Sequence, residues 1–162
     1  MSEIRVAMAA GLVSFLLVAG ALAFQYLGSL PPCEMCHWQR WPHIAAAIIG
    51  LGLGGVIART DQATTRSTPL ALTTLLLVGI SGGIGAYQAG VEWGILPGPA
   101  ACTGGPVFLT GSLDLNHPVV RCDVAAWRLF GISLAGFNAL ISFCVVFFGL
   151  SALFMIRKRS LN

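Results

Sequence analysis

Residues 6–27 read VAMAAGLVSFLLVAGALAFQYL, and soon afterwards comes Pro31-Pro32-Cys33-Glu34-Met35-Cys36-His37-Trp38-Gln39-Arg40-Trp41-Pro42-His43. A helix needs about 20 mostly apolar residues to cross a bilayer. The first stretch therefore reads as a membrane span, and the two prolines as its end. Ala21-Leu22-Ala23 resembles a signal-peptide cleavage site. The apolar run is longer than a usual signal core, which favours a retained span. Working outward, residues 41–58, 70–89 and 129–156 are further spans of sufficient length. All eight prolines are expected outside the interiors of these stretches or at their ends.

Composition agrees. The chain is 56% apolar and 9% charged, whereas soluble domains carry roughly 25% charge. Its 20 glycines follow no collagen period and suit close helix packing in lipid. Low-complexity tracts, internal repeats and a nucleotide-binding glycine fingerprint are all lacking. The expected fold is all-α, a four-helix transmembrane bundle forming a single membrane domain, residues 1–162. Gly50-x-x-x-Gly54 and Gly79-x-x-x-Gly83 are expected to bring its helices close.

Basic residues set the orientation. Arg5, Arg59, Arg66, Arg157, Lys158 and Arg159 fall on one side, against Arg40, Arg121 and Arg128 on the other. The richer side belongs in the cytoplasm, with both termini. Segments 28–40 and 90–128 then face outward, which in a bacterium is the periplasm, where disulfides persist. The net charge of +3 reflects this bias and does not point to nucleic acid.

Four of the five cysteines form two pairs on that outer side: Cys33 with Cys36, and Cys102 with Cys122. A C-x-x-C is a redox dithiol, a metal clip or a haem anchor. A second pair on the same face favours the dithiol, because thiol–disulfide exchange can pass electrons between pairs. Cys33-x-x-Cys36-His37 also matches a c-type haem attachment, but that reading leaves Cys102 and Cys122 unused and has little soluble domain to enclose a haem. A zinc site from all four cysteines is a further alternative, although the second pair's spacing is unlike a zinc clip. A non-enzymatic scaffold stapled by two disulfides is the third.

The second helix is expected to start between Cys36 and Pro42. That places Cys36 at a helix N-terminus, where free amides and the dipole favour a thiolate. Arg40 would lie one turn on, either facing Cys36 or snorkelling. Trp38 and Trp41 suit an aromatic belt, and His37 and His43 read as interfacial polar residues. Residues 97–106, PGPAACTGGP, are expected to be non-helical and mobile, with Cys102 within reach of another protein. Val107, Phe108, Leu109, Leu113 and Leu115 could rest on the membrane surface. Cys144, mid-span, reads as a small packed hydrophobe.

Cys33-Glu-Met-Cys36-x-x-x-Arg40, Pro97-Gly98-Pro99-x-x-Cys102, Arg121-Cys122-Asp123 and Trp127-Arg128-Leu129-Phe130-Gly131, in this order, resemble the bacterial DsbB family. These are inner-membrane thiol:quinone oxidoreductases, and the resemblance covers nearly the whole chain. It implies exchange between a Cys102–Cys122 and a Cys33–Cys36 disulfide, while the resting pairing stays open among the three that four cysteines allow. It also implies attack at Cys102 by a reduced periplasmic DsbA-type oxidase, then attack of Cys122 on Cys33. Cys36 would be released as a thiolate beside a ubiquinone or menaquinone supported by Arg40. Because such a partner is strongly oxidising, the quinone must supply the pull. The implied chemistry needs no metal. One position departs: Tyr87-Gln88-Ala89-Gly90-Val91-Glu92 has Gln88 where many members have histidine. Gln88 can hydrogen-bond a quinone but cannot titrate, so Glu92 or His37 is expected to assist.

Overall fold

A computed structural model describes residues 2–59, 63–103 and 120–161. Four helices in it are long and apolar enough to cross a membrane: Glu3–Tyr26, Glu34–Ile57, Ser67–Glu92 and Leu134–Ser160. The protein is an all-α bundle of four transmembrane helices. α1 is Glu3–Tyr26 and α2 is Glu34–Ala47; a π-helical segment, Ile48–Leu53, and a single turn, α3, Gly54–Ile57, complete the second span. α4 is Ala63–Glu92, α5 is a turn at Ala100–Thr103, and α6 is Leu134–Leu161. Just before α6, strands β1 (Arg128–Leu129) and β2 (Ile132–Ser133) pair antiparallel.

α2 begins earlier than its sequence suggests. Cys33 is its N-cap, in an extended conformation, and its sulfur accepts the Cys36 amide at 3.2 Å. This sulfur does what a serine or aspartate oxygen usually does at a helix start. Glu34 in the first turn favours the positive dipole end. Pro42 therefore lies inside α2, and Pro69 inside α4, correcting the expectation that prolines stand at or beyond the ends. Pro42 has no N–H to return to the preceding turn. α6 also starts later than residue 129, because residues 128–133 form the hairpin. Its turn has Phe130 at φ 51° and Gly131 at φ 82°, the paired positive angles of a tight hairpin turn.

Small residues let the helices approach. A Cβ on Gly50 would stand 2.5 Å from the Ala7 carbonyl oxygen and 2.9 Å from the Gly11 Cα, so α1 crosses the π-helical segment backbone to backbone. Gly54 and Gly79 meet side chains, but Gly83 faces open space; its neighbour Gly82 packs against Ser142 of α6 instead. The core is built from Val6, Ala7, Ala10, Ala46, Leu75 and Val78. Outward-facing Phe15, Leu16, Phe147, Phe148 and Phe154 are exposed, as on a lipid-facing surface. Cys144 is exposed as well, which corrects the expectation that it packs.

Candidate functional site

All four paired cysteines meet at one end of the bundle. Cys33, Cys102, Cys122 and Met35 form one buried cluster, with Cys36 and Val120 against it. Cys102 and Cys122 are joined in a disulfide with Cα atoms 5.3 Å apart. The Cys122 amide donates to the Cys102 carbonyl at 2.8 Å, and the Cys102 amide to that of Pro99 at 2.9 Å. Cys33 and Cys36 are free thiols, their sulfurs hydrogen-bonded at 2.6 Å. The hydrogen bond with Cys36, and then burial, hold the Cys33 thiol far above the usual cysteine range, so Cys33 keeps its proton.

Two sequence expectations change here. Residues 100–103 form a helical turn, where no helix was expected. Cys102 is buried at 3% exposure, rather than open to another protein. The turn folds it inward against Cys122 and Cys33, where its sulfur leaves water. The expected membrane contacts of Val107, Phe108, Leu109, Leu113 and Leu115 lie outside the described residues.

Beside the cluster a cleft of about 410 Å³ opens between α1, α2, α4, α6 and segment 120–127. Its walls are chiefly apolar and include Phe24, Trp127 and Phe137, whose rings contact one another in sequence. Its polar lining includes Cys36, Gln39, Arg40, His43, Gln88 and Glu92. Helical spacing explains the set: residues 36, 39, 40 and 43 share one face of α2, and 88 and 92 one face of α4.

Gln88 stands between the thiols and Glu92. Its Nε2 donates to Glu92 Oε1 at 3.0 Å and lies 3.4 and 3.5 Å from the sulfurs of Cys33 and Cys36. Its Oε1 accepts from Gln39 Nε2 at 2.6 Å. Gln39 Oε1 in turn accepts from Asn138 Nδ2 at 2.7 Å, and Asn138 Oδ1 lies 2.8 Å from His43 Nε2. Ser14 faces His43 Nδ1 at 3.1 Å. With Gln88 Nε2 turned to Glu92, Gln88 Oε1 is left to accept from Gln39, and each amide behind it follows in the same direction.

Arg40 is helical with Cys36, as one reading of the sequence allowed, but its hydrogen bonds run to α1. Nη1 donates to Gln25 Oε1 at 2.5 Å and Nη2 to the Ala21 carbonyl at 3.4 Å. His37 is exposed and does not line the cleft. It sits about 100° around α2 from Cys36, off the cleft face. His43, expected at the interface, is instead buried and paired on both ring nitrogens. Trp38 and Trp41 are exposed. Among the described residues no group of three or more histidines, cysteines or acids is arranged to hold a metal. At the mouth, Arg121 donates to Asp123 from Nε at 2.9 Å and also from Nη2. These hydrogen bonds lower the Asp123 pKa and raise that of Arg121.

Sequence reasoning misplaced His43 and passed over Gln39, Asn138, Ser14 and Ser81, whose hydroxyl donates to the Gln39 carbonyl at 2.8 Å. A signal was available, since each is a polar side chain in an apolar span, and such residues usually turn inward and find partners.

The chain resembles known proteins along most of its length. The family profile described as Disulfide bond formation protein DsbB matches residues 3–152. Disulfide bond formation protein B of Aromatoleum aromaticum is 29% identical over 160 residues, covering 90% of this chain and 89% of the relative. The protein of the same name from Polaromonas naphthalenivorans is 28% identical over 149 residues, 88% and 84% of the two chains. An uncharacterised Rickettsia prowazekii protein is 26% identical over 144 residues, 84% and 79%. No solved structure matches. The profile runs from the first residue of α1 well into α6 and takes in all four paired cysteines, and the chain belongs to the DsbB family of disulfide bond formation proteins, as a multi-pass membrane member.

Proposed function

We propose that this protein is a protein-dithiol:quinone oxidoreductase. It reoxidises a periplasmic thioredoxin-fold oxidase of the DsbA type and delivers the two electrons to the membrane quinone pool. The observation carrying this reading is the meeting of both cysteine pairs in one buried cluster. Exchange needs sulfur to reach sulfur, and here the two pairs share a single packed contact. In this reading one bacterial inner-membrane domain keeps both termini in the cytoplasm and holds the cluster at the periplasmic side.

A thiolate of the partner attacks Cys102 and displaces Cys122. Cys122 attacks Cys33 and displaces Cys36. The partner's second thiol resolves its mixed disulfide with Cys102, and the freed Cys102 attacks Cys122, breaking the Cys33–Cys122 bond and releasing Cys33. The Cys33–Cys36 pair is left holding two electrons and two protons. Gln88 Nε2 points a donor at the Cys36 sulfur and steadies the leaving thiolate, while the Cys36 amide donates to the sulfur of Cys33.

The residues present fit a quinone. The cleft has apolar walls for a flat ring, the Cys36 thiol in its lining, and Arg40 with N–H groups beyond those given to α1. Glu92 also lines it, and its carboxyl oxygen Oε2 is buried and, among the described residues, has no hydrogen-bond partner. When bound, a quinone, ubiquinone or menaquinone, takes up two electrons and two protons. Arg40 and Gln88 would hold it beside Cys36; His37, away from the cleft, has no part in this.

The test uses detergent-purified protein, a short-chain quinone and a reduced DsbA-type protein, with loss of quinone absorbance followed in time. Loss that requires both additions and disappears in Cys36→Ser supports the reading. No loss with an active partner overturns it.

A further inference from the structure

Turning a dithiol into a disulfide releases two protons along with two electrons, and reducing a quinone consumes two of each. The cleft therefore needs a group that handles protons. This inference rests on the function proposed above.

The titratable and charged groups around the cleft are few. The α2 span presents Cys36, Arg40 and His43, with Cys33 at its cap; segment 120–127 presents Arg121, and β1 presents Arg128, which donates to the Glu92 carbonyl. α4 presents Glu92, while α1 and α6 line the cleft without a titratable side chain. Arginine does not give up its proton in proteins. His43 has both ring nitrogens engaged, by Ser14 and Asn138. Gln88 cannot titrate.

Glu92 is different. Its Oε1 is held by Gln88 Nε2, but its Oε2 is buried and, among the described residues, is the only such side-chain oxygen or nitrogen without a partner. A carboxyl oxygen so placed suits both members of a quinone pair. Protonated, it donates to a quinone carbonyl; ionised, it accepts from a quinol hydroxyl. As the last residue of α4, Glu92 also stands at the end of the span, near water.

We propose that Glu92 is the proton-transfer residue of this cleft. Two S–H bonds break and the Cys33–Cys36 bond forms, two electrons pass to the quinone, and two O–H bonds form on it. Glu92 gives one of those two protons and recovers it from one released by the dithiol. The other dithiol proton goes to the second quinone oxygen, so Glu92 ends as it began.

The experiment measures binding rather than turnover. The full-length Cys36→Ser protein, which cannot turn over, is titrated with a short-chain benzoquinone and with its hydroquinone. Quenching of tryptophan fluorescence reports occupancy, Trp127 being in the cleft wall. Across a pH series that spans the titration of a carboxyl group, quinone affinity should fall as pH rises, because the carboxyl donor is lost. Hydroquinone affinity should rise, because a carboxylate acceptor appears. Each change should be about fivefold or more, as a charged or lost hydrogen bond of this kind warrants. Glu92→Gln should bind both forms with neither trend, whereas His43→Gln should keep both trends. Opposite trends surviving in Glu92→Gln, or absent in the parent protein, overturn the proposal. No quenching by either compound at any pH overturns the quinone reading beneath it as well.

Discussion

Cys33 and Cys36 differ in role although only two residues separate them. Cys33 caps α2, contacts the second pair and holds its proton; Cys36 lines the cleft. A thiol raised above its usual range stays protonated, and so unreactive, to higher pH than a free cysteine of pKa about 8.5. Alkylation of Cys33 should therefore stay slow from about pH 7 to 9, where an ordinary thiol's rate climbs more than tenfold. Peptide mapping after brief labelling checks this, and an ordinary thiol titration at Cys33 would contradict the geometry. At this scale the reactive atoms were legible and their surroundings were not. The four cysteines announce themselves by spacing. His43 did not, because nothing in a local sequence says which residues 29 and 95 positions away will face its ring. His37 misled because it adjoins Cys36 in sequence, while one residue along a helix turns the side chain by about 100°.

At the scale of elements, the second span shows what competing signals do. A cysteine is not a customary helix cap and proline is a strong breaker, so the start of α2 was placed too late. The hairpin before α6 escaped notice for a related reason. Phe130 takes a positive φ that its side chain gives no reason to expect. Existence of the four spans was plain from their length and apolarity; which glycines make contact depends on how the helices cross. Gly50 and Gly52 separate these cases. Gly50→Ala drives a methyl into the backbone of α1 and should destabilise the bundle by about 1–3 kcal/mol. Gly52→Ala, with nothing within 4 Å, should cost nothing measurable and favour the helix slightly. Unfolding in mixed detergent micelles would show the contrast, and equal stability of the two variants would refute the close crossing.

Across the whole molecule, the cysteine cluster and the cleft are adjoining compartments joined at Cys33 and Cys36. Arg40 belongs to the second compartment only. It ties α2 to α1 through Gln25 and Ala21 and lines the cleft, while the Cys102–Cys122 bond lies in the buried cluster. Arg40→Ala should therefore raise the quinone KM several-fold and leave the exchange rate at Cys102 with a reduced partner unchanged. Stopped-flow mixing without quinone isolates the second rate. A loss in both would mean that the compartments are not separable.

The burial of Cys102 has a consequence for selectivity in time rather than in affinity. A sulfur at 3% exposure is closed to thiols that simply collide with it. Attack requires the covering atoms to be moved aside, and a docked protein surface can do that where a lone small thiol cannot. Under the proposed function, the entry disulfide behaves like an insulated terminal, and the wider pool of small thiols is kept from short-circuiting into the membrane.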